Sequence, residues 1–307
     1  MMLVLQGKRE AARDHLGLHL FLDQALKERW RKYRKALKRC RKKFSEEAVH
    51  QWRIETRRML ALLGLLEPFL TGKCLCQLES EFTKHFKKSA PLRDTHVLLL
   101  EVEKRAEAFP VLAPFRKFLA RREQRLCRRL RKKIGGAGEG DLKPRMRQLR
   151  QRLRRLVEHA ETEEAHREKL FAAVDLAFED AARLRAGIDP AEPATIHAMR
   201  VAFKKFRYMV ETLRPMLPGV SARQIAAMQA FQTSMGDIQD VEVLAAALAR
   251  FEKKRGLSLD RFNAYLRRRH SDTIRRFMRT VGKLDEFRPS RPSTKRARRE
   301  ISAKKAS

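Results

Sequence analysis

The stretch Val49-His50-Gln51-Trp52-Arg53, set against Ile196-His197-Ala198-Met199-Arg200, decides how this chain is built. Continuing without a gap, Arg57-Arg58 falls opposite Lys204-Lys205, and Pro68-Phe69-Leu70 falls opposite Pro215-Met216-Leu217, all in a register of 147 residues. Further on, Arg93-Asp94-Thr95-His96-Val97-Leu98 matches Gln239-Asp240-Val241-Glu242-Val243-Leu244 at an offset of 146. One match could arise by chance in a chain rich in Leu, Lys and Arg. Two matches at nearly the same separation indicate a duplication, not a short-period solenoid, whose repeats run about 20 to 50 residues.

Both copies read as amphipathic helix. At about 100° per residue, His50, Arg53, Arg57 and Arg58 gather on one side, opposite Trp52, Met59, Leu62, Leu63 and Leu66. In the second copy His197, Arg200, Lys204 and Lys205 take the same places, joined by Arg207 and Tyr208, while Met199, Phe203, Phe206, Met209, Val210 and Leu213 form the apolar arc. Surface helices ordinarily interleave Glu with Lys at i, i+4, whereas like charges at that spacing (Arg53 and Arg57; Arg200 and Lys204) weaken a helix. Keeping a cationic stripe in both copies points to an anion that offsets the repulsion.

Outward from these stretches the helical pattern is nearly continuous. Glycine and proline are scarce, strand-like alternation is absent, and helices are expected at 14–44, 47–70, 73–88, 91–108, 112–134, 143–160, 163–186, 194–214, 221–235, 237–255 and 258–285. The class is all-α. The run Gly135-Gly136-Ala137-Gly138-Glu139-Gly140 reads as a flexible linker, dividing a body at 10–285 into halves at 10–137 and 141–285. Residues 286–307, rich in Pro, Ser, Lys and Arg, read as a disordered basic tail.

Lys and Arg number 71 against 37 Asp and Glu, a formal net charge of +34. From Arg288 to Ser307 there are eight cations and one acid, so most of the excess lies on the body. Such a charge repels itself in a compact state and calls for an anionic partner. Arg31, Arg34, Lys38 and Arg41 recur at helical spacing and form a candidate extension of a ligand track. The segment from Arg121 to Arg155 adds fifteen cations against three acids. No apolar run approaches the roughly 18–20 residues of a membrane span, and no signal segment opens the chain, so a cytosolic setting is expected. Of the four cysteines, Cys74 and Cys76 form a C-x-C with no second pair to complete a zinc site. Neither a metal nor a cofactor is expected.

The doubled pattern resembles the CHAD domain, the conserved histidine α-helical domain. Val49-His50-x-x-Arg53-x-x-x-Arg57-Arg58 is similar to its first signature, and Ile196-His197-x-x-Arg200-x-x-x-Lys204-Lys205-x-Arg207-Tyr208-x-x-Glu211 to its second. Arg93-Asp94 and Gly236-Asp237-Ile238-Gln239-Asp240 are similar to the downstream helix of each half. The resemblance implies two antiparallel helical bundles related by a pseudo-twofold axis around a basic central groove or pore. It also implies binding of inorganic polyphosphate and association with polyphosphate granules. Where the family often has a further Arg, this chain has Leu60, with Arg207 at the matching place in the second half, so the second half is expected to grip more strongly.

The residue chemistry suits such a ligand. A phosphate chain offers charge and no bases to read. Arg grips phosphate oxygens with a planar fork, and Lys acts as a point charge. His50 and His197 are expected to contact phosphate, with affinity rising as pH drops through about 6.5. Arg93 completes the expected ligand set, and Asp94 and Asp240 are expected to orient the stripe's Arg or His. A protein that binds nucleic acid without sequence preference is the alternative, although no helix-turn-helix, zinc finger or RNA-binding signature is present. An enzyme is disfavoured because the matched helices bring cations together, where a metal phosphohydrolase needs carboxylates and histidines. Glu101-Val102-Glu103-Lys104 lacks the spacing of an E-x-E-x-K strand motif, and the glycine run lacks the Gly-Lys-Ser/Thr ending of a phosphate loop.

Overall fold

The computed structural model describes residues 17–70, 72–134, 142–155, 163–217 and 219–289, and contains no strand among them. The expected linker at 135–140 and residues 290–307 of the expected tail lie outside the described residues, whereas the tail's first residues, 286–289, are described, with Phe287 buried in the core and Arg288 paired with Glu179. Nine α-helices follow one another among the described residues: α1 (Leu18–Lys43), α2 (Glu46–Leu66), α3 (Lys73–Glu103), α4 (Ala113–Ile134), α5 (Leu142–Arg155), α6 (Glu163–Ala186), α7 (Pro193–Leu213), α8 (Ala222–Arg255) and α9 (Asp260–Met278). Short 3₁₀ turns occupy Pro110–Leu112, Arg214–Met216 and Val281–Phe287.

Local chemistry sets several boundaries. Phe44 takes a left-handed conformation (φ 49°) that ends α1, and the Ser45 hydroxyl accepts from the Ala48 N–H to start α2. That short connection makes α1 and α2 neighbours. Ser221 caps α8 through the Gln224 N–H (3.1 Å), and Gly256 closes it at φ 60°.

Two expected breaks are absent. Helix α3 runs through Pro91 and α8 runs through Gly236, nearly equivalent points of the two halves. A proline removes one ladder bond and crowds the preceding turn, yet a helix survives it when the freed groups find partners. The turn before Pro91 is held by a tertiary contact: the Phe86 carbonyl accepts from Arg53 Nη1 of α2 (2.7 Å) and from Ser89 Oγ (2.8 Å).

Successive helices pack within each half, α1 to α4 and α6 to α9, and the halves meet where α2 lies on α7 and α3 on α8. Each of those contacts joins an element to its own counterpart. Gly64 permits the close approach of α7: a Cβ there would stand 3.1 Å from Met209 Cε and 3.6 Å from Lys205 Cε. The apolar arcs read from the sequence are buried, with Trp52, Met59, Leu62, Phe203 and Phe206 fully enclosed.

Neither apolar core is private to one half. The larger draws on all nine helices, and the smaller gathers the C-terminal parts of α3 and α8 with the N-terminal parts of α4 and α9. Helix α5 has no counterpart among the described residues of the first half. Leu142, Met146, Leu149 and Leu153 form its buried stripe. Asp23 of α1 fixes it by accepting from Arg150 (2.7 and 2.9 Å) and Arg154 (2.8 Å).

Candidate polyanion-binding site

The seam between α2 and α7 brings the two cationic stripes together. Arg57 of α2 feels the charges of Arg200 and Arg93, and Lys204 of α7 feels those of Arg57, Arg200 and Arg207. Residues 147 apart in the repeat thus share one electrostatic neighbourhood. None of Arg57, Arg200, Lys204 and Lys205 takes part in an ion pair with a carboxylate among the described residues. Arg200 retains a buried Nε with no hydrogen-bond partner there.

Burial sharpens the unfavourable charge. Removal from water, then repulsion from Arg57, Arg200 and Arg207, pushes the Lys204 ammonium down to about 6, against the pull of Asp240. Burial likewise lowers Arg57 to about 10, although the Phe86 ring lies 4.5 Å beneath its guanidinium. Both arginines keep their charge at neutral pH, and Lys204 is the group poised to change it.

The remaining cations of the stripes are tied into the fold. Arg53 is buried, donates to the Phe86 carbonyl (2.7 Å) and Ser89 Oγ (2.8 Å), and lies 3.9 Å over the Phe86 ring. Burial, then Arg57, lowers it to about 10. Arg58 donates to Glu55 (3.1 Å) and lies 3.5 Å from Glu211. Arg93 is bonded to Glu46. Arg207 is buried, donates to Gln232 (3.0 Å), pairs with Glu211 and stacks 4.5 Å over Tyr208. The asymmetry between Leu60 and Arg207 therefore takes the form of an internal ion pair in the second half. Tyr208 is itself buried, with Arg58 on it at 5.7 Å.

His50 and His197 are exposed at the margins of this cluster. Although His50 keeps solvent-accessible surface, neighbouring groups partly desolvate its ring and Arg93 repels a proton on it, so its pKa falls to about 4. His197 is lowered by the same loss of water and then by Arg200. Both shifts run below the 6.5 that the sequence led one to expect. Asp94 lies within the field of Arg53, Arg122 and Arg93, and Asp240 within that of Arg200. Loss of water raises the pKa of both.

On α1, Arg31, Arg34 and Lys38 are exposed and Arg41 is half-buried. The charges acting most strongly on Arg53, Arg57, Arg200 and Lys204 are those of other residues. The sequence reading overlooked the acids that bind the outer cations. Their signal was available: Glu55 stands three residues before Arg58 and Glu211 four after Arg207, spacings that favour helical ion pairs. Phe86 and Ser89, which hold Arg53, carried no such mark.

The family model of the CHAD domain matches residues 9–249. The chain belongs to the CHAD family. Among solved structures the CHAD fold recurs in the CHAD domain from the plant Ricinus communis, at a TM-score of 0.63 and 15% identity, covering 89% of this chain and 91% of that one. PptA from Streptomyces chartreusis is similar at a TM-score of 0.60 and 16% identity, covering 88% of this chain and 100% of that one. At these identities the likeness concerns the fold. No curated protein sequence matches the chain. No helix among the described residues is long and apolar enough to cross a membrane, and no group of His, Cys, Asp or Glu among them is arranged to hold a metal ion.

Proposed function

We propose that this CHAD protein binds inorganic polyphosphate without catalysis, through the cations at the α2–α7 seam, and that it associates with polyphosphate granules. One observation carries the reading: Arg57, Arg200 and Lys204 converge from both halves with no ion pair to a carboxylate among the described residues. Stability alone gives no reason to hold three cations so close under partial burial, because the arrangement is unfavourable until an anion fills it. Arg57 and Arg200 grip phosphate oxygens by their forks, Lys204 takes up a proton as the anion arrives, and Lys205, His50 and His197 meet the chain at the edges. Arg53, Arg58, Arg93 and Arg207 hold the seam in shape and add their field. The α2–α7 and α3–α8 contacts are those expected of a twofold relation between halves, so the chain would pass along the axis.

The test is a titration at near-physiological salt with long-chain polyphosphate, single-stranded DNA and duplex DNA, using the parent and a variant with Arg57, Arg200 and Lys204 changed to Ala. Clear preference for polyphosphate, lost in a variant that stays helical, supports the reading. Equal binding of DNA makes the protein a general polyanion binder, and undiminished binding by the variant removes the seam as the site.

A further inference from the structure

A second charged surface lies on the far side of α3. A cleft of about 530 Å³ opens between α3 and α4, rimmed by Lys88, Arg122, Arg125, Arg129, Lys133 and, from α8, Lys254. None of the six is in an ion pair among the described residues, although Asp94 and Glu81 act at longer range on Arg122 and Lys88. The floor is different in kind. Pro91, Phe118 and Leu126 present accessible apolar surface there, over the buried Leu92 and Leu130.

Helix α3 separates this cleft from the seam. Phe86 and Ser89 turn toward Arg53, while Lys88, Pro91 and Leu92 line the cleft. On a 3.6-residue period those two sets occupy different faces. A phosphate chain held at the seam does not simply continue into the cleft, and it could make no use of an apolar floor. A partner with an apolar stripe flanked by carboxylates uses both parts.

We propose that the α3–α4 cleft docks an acidic amphipathic helix of a partner protein. From Phe118 to Lys133 the rail spans about 22 Å, room for roughly four helical turns. Apolar side chains of the partner fill the floor over Pro91, Phe118 and Leu126, and its Glu or Asp side chains meet Arg125, Arg129 and Lys133. This is recognition of a helix in a groove, with charge complementarity giving orientation. The protein then holds a partner on one face of α3 while the seam on the other remains open to its own ligand.

The experiment uses the full chain and three labelled 15-residue peptides at about 0.15 M salt. One carries Leu on a single helical stripe flanked by Glu; the second has the same composition in shuffled order; the third is poly-Glu. The expected result is binding of the striped peptide at least about tenfold tighter than either control. Arg125→Glu with Arg129→Glu, both exposed positions, should weaken it by at least as much with helicity unchanged. The variant with Arg57, Arg200 and Lys204 changed to Ala should bind the peptide as the parent does, which separates this proposal from the polyphosphate reading. Equal binding of the shuffled or poly-Glu peptide overturns the proposal, because the cleft is then only a charged surface. Retained binding by the double Glu variant, or loss in the seam variant, overturns it as well.

Discussion

Glu211 of α7 stands 3.5 Å from Arg58 of α2 while also pairing with Arg207 of its own helix. One carboxylate therefore bridges cations from both halves. Its removal leaves Arg207, which is almost wholly buried, with Gln232 as its remaining side-chain hydrogen-bond acceptor. Breaking a buried pair from one side costs about 3 kcal/mol or more. Glu211→Ala should lose about that in urea unfolding, while Glu47→Ala, from the exposed pair with Arg39, should lose under about 1 kcal/mol. Equal losses in the two variants would remove Glu211 as the bridge.

Arg53 is the second tie, joining α2 to α3 beside the proline. Two hydrogen bonds and a ring contact at 3.9 Å hold it, so Arg53→Ala should destabilise the fold by about 2 kcal/mol. Ser89→Ala removes one acceptor and should lose about 1 kcal/mol. A double-mutant cycle checks the coupling: the combined loss should fall short of the sum. Strict additivity would mean that the Arg53–Ser89 bond contributes nothing.

Much of this was legible in the sequence because the duplication states it twice. The helical class and the buried apolar arcs followed from spacing alone. The breaks at Pro91 and Gly236 misled because glycine and proline ordinarily mark ends, whereas the tie from Arg53 to the turn before Pro91 is a tertiary contact that no local rule anticipates. The division of the stripes into paired and unpaired cations was also hidden. A helical wheel places Arg57 beside Arg58 but does not say that Glu211, about 150 residues on, will take one and leave the other.

Lys204 should oppose folding while serving the ligand. Its folded pKa near 6 lies far below the usual lysine value of 10.5, so the unfolded chain binds more protons between those limits and stability rises with pH across that window. Lys204→Met removes the ionisable group and keeps the volume. The variant should be more stable than the parent by on the order of 1 kcal/mol or more at pH 6, with the gap closing toward pH 10. It should also bind polyphosphate more weakly. A variant less stable than the parent at pH 6 would contradict the charge repulsion inferred at the seam.

The same group sets the pH dependence of binding. Arg57 from α2, Arg200 and Arg207 from its own helix, and Asp240 from α8 fix the Lys204 value near 6 in the free protein. A bound phosphate adds negative charge and raises it, so the complex takes up a proton between the free and bound values. Affinity should be flat below about pH 6 and fall above it, by up to about tenfold per pH unit. His50, pushed down to about 4, contributes little there. Lys204→Arg keeps the charge at every pH and should flatten the profile between pH 6 and 8. Isothermal titration in two buffers of different ionisation enthalpy counts the protons directly: about one at pH 7.5 in the parent and none in Lys204→Arg. Equal uptake by both would place the titrating group elsewhere, with the exposed His197 the next to be changed.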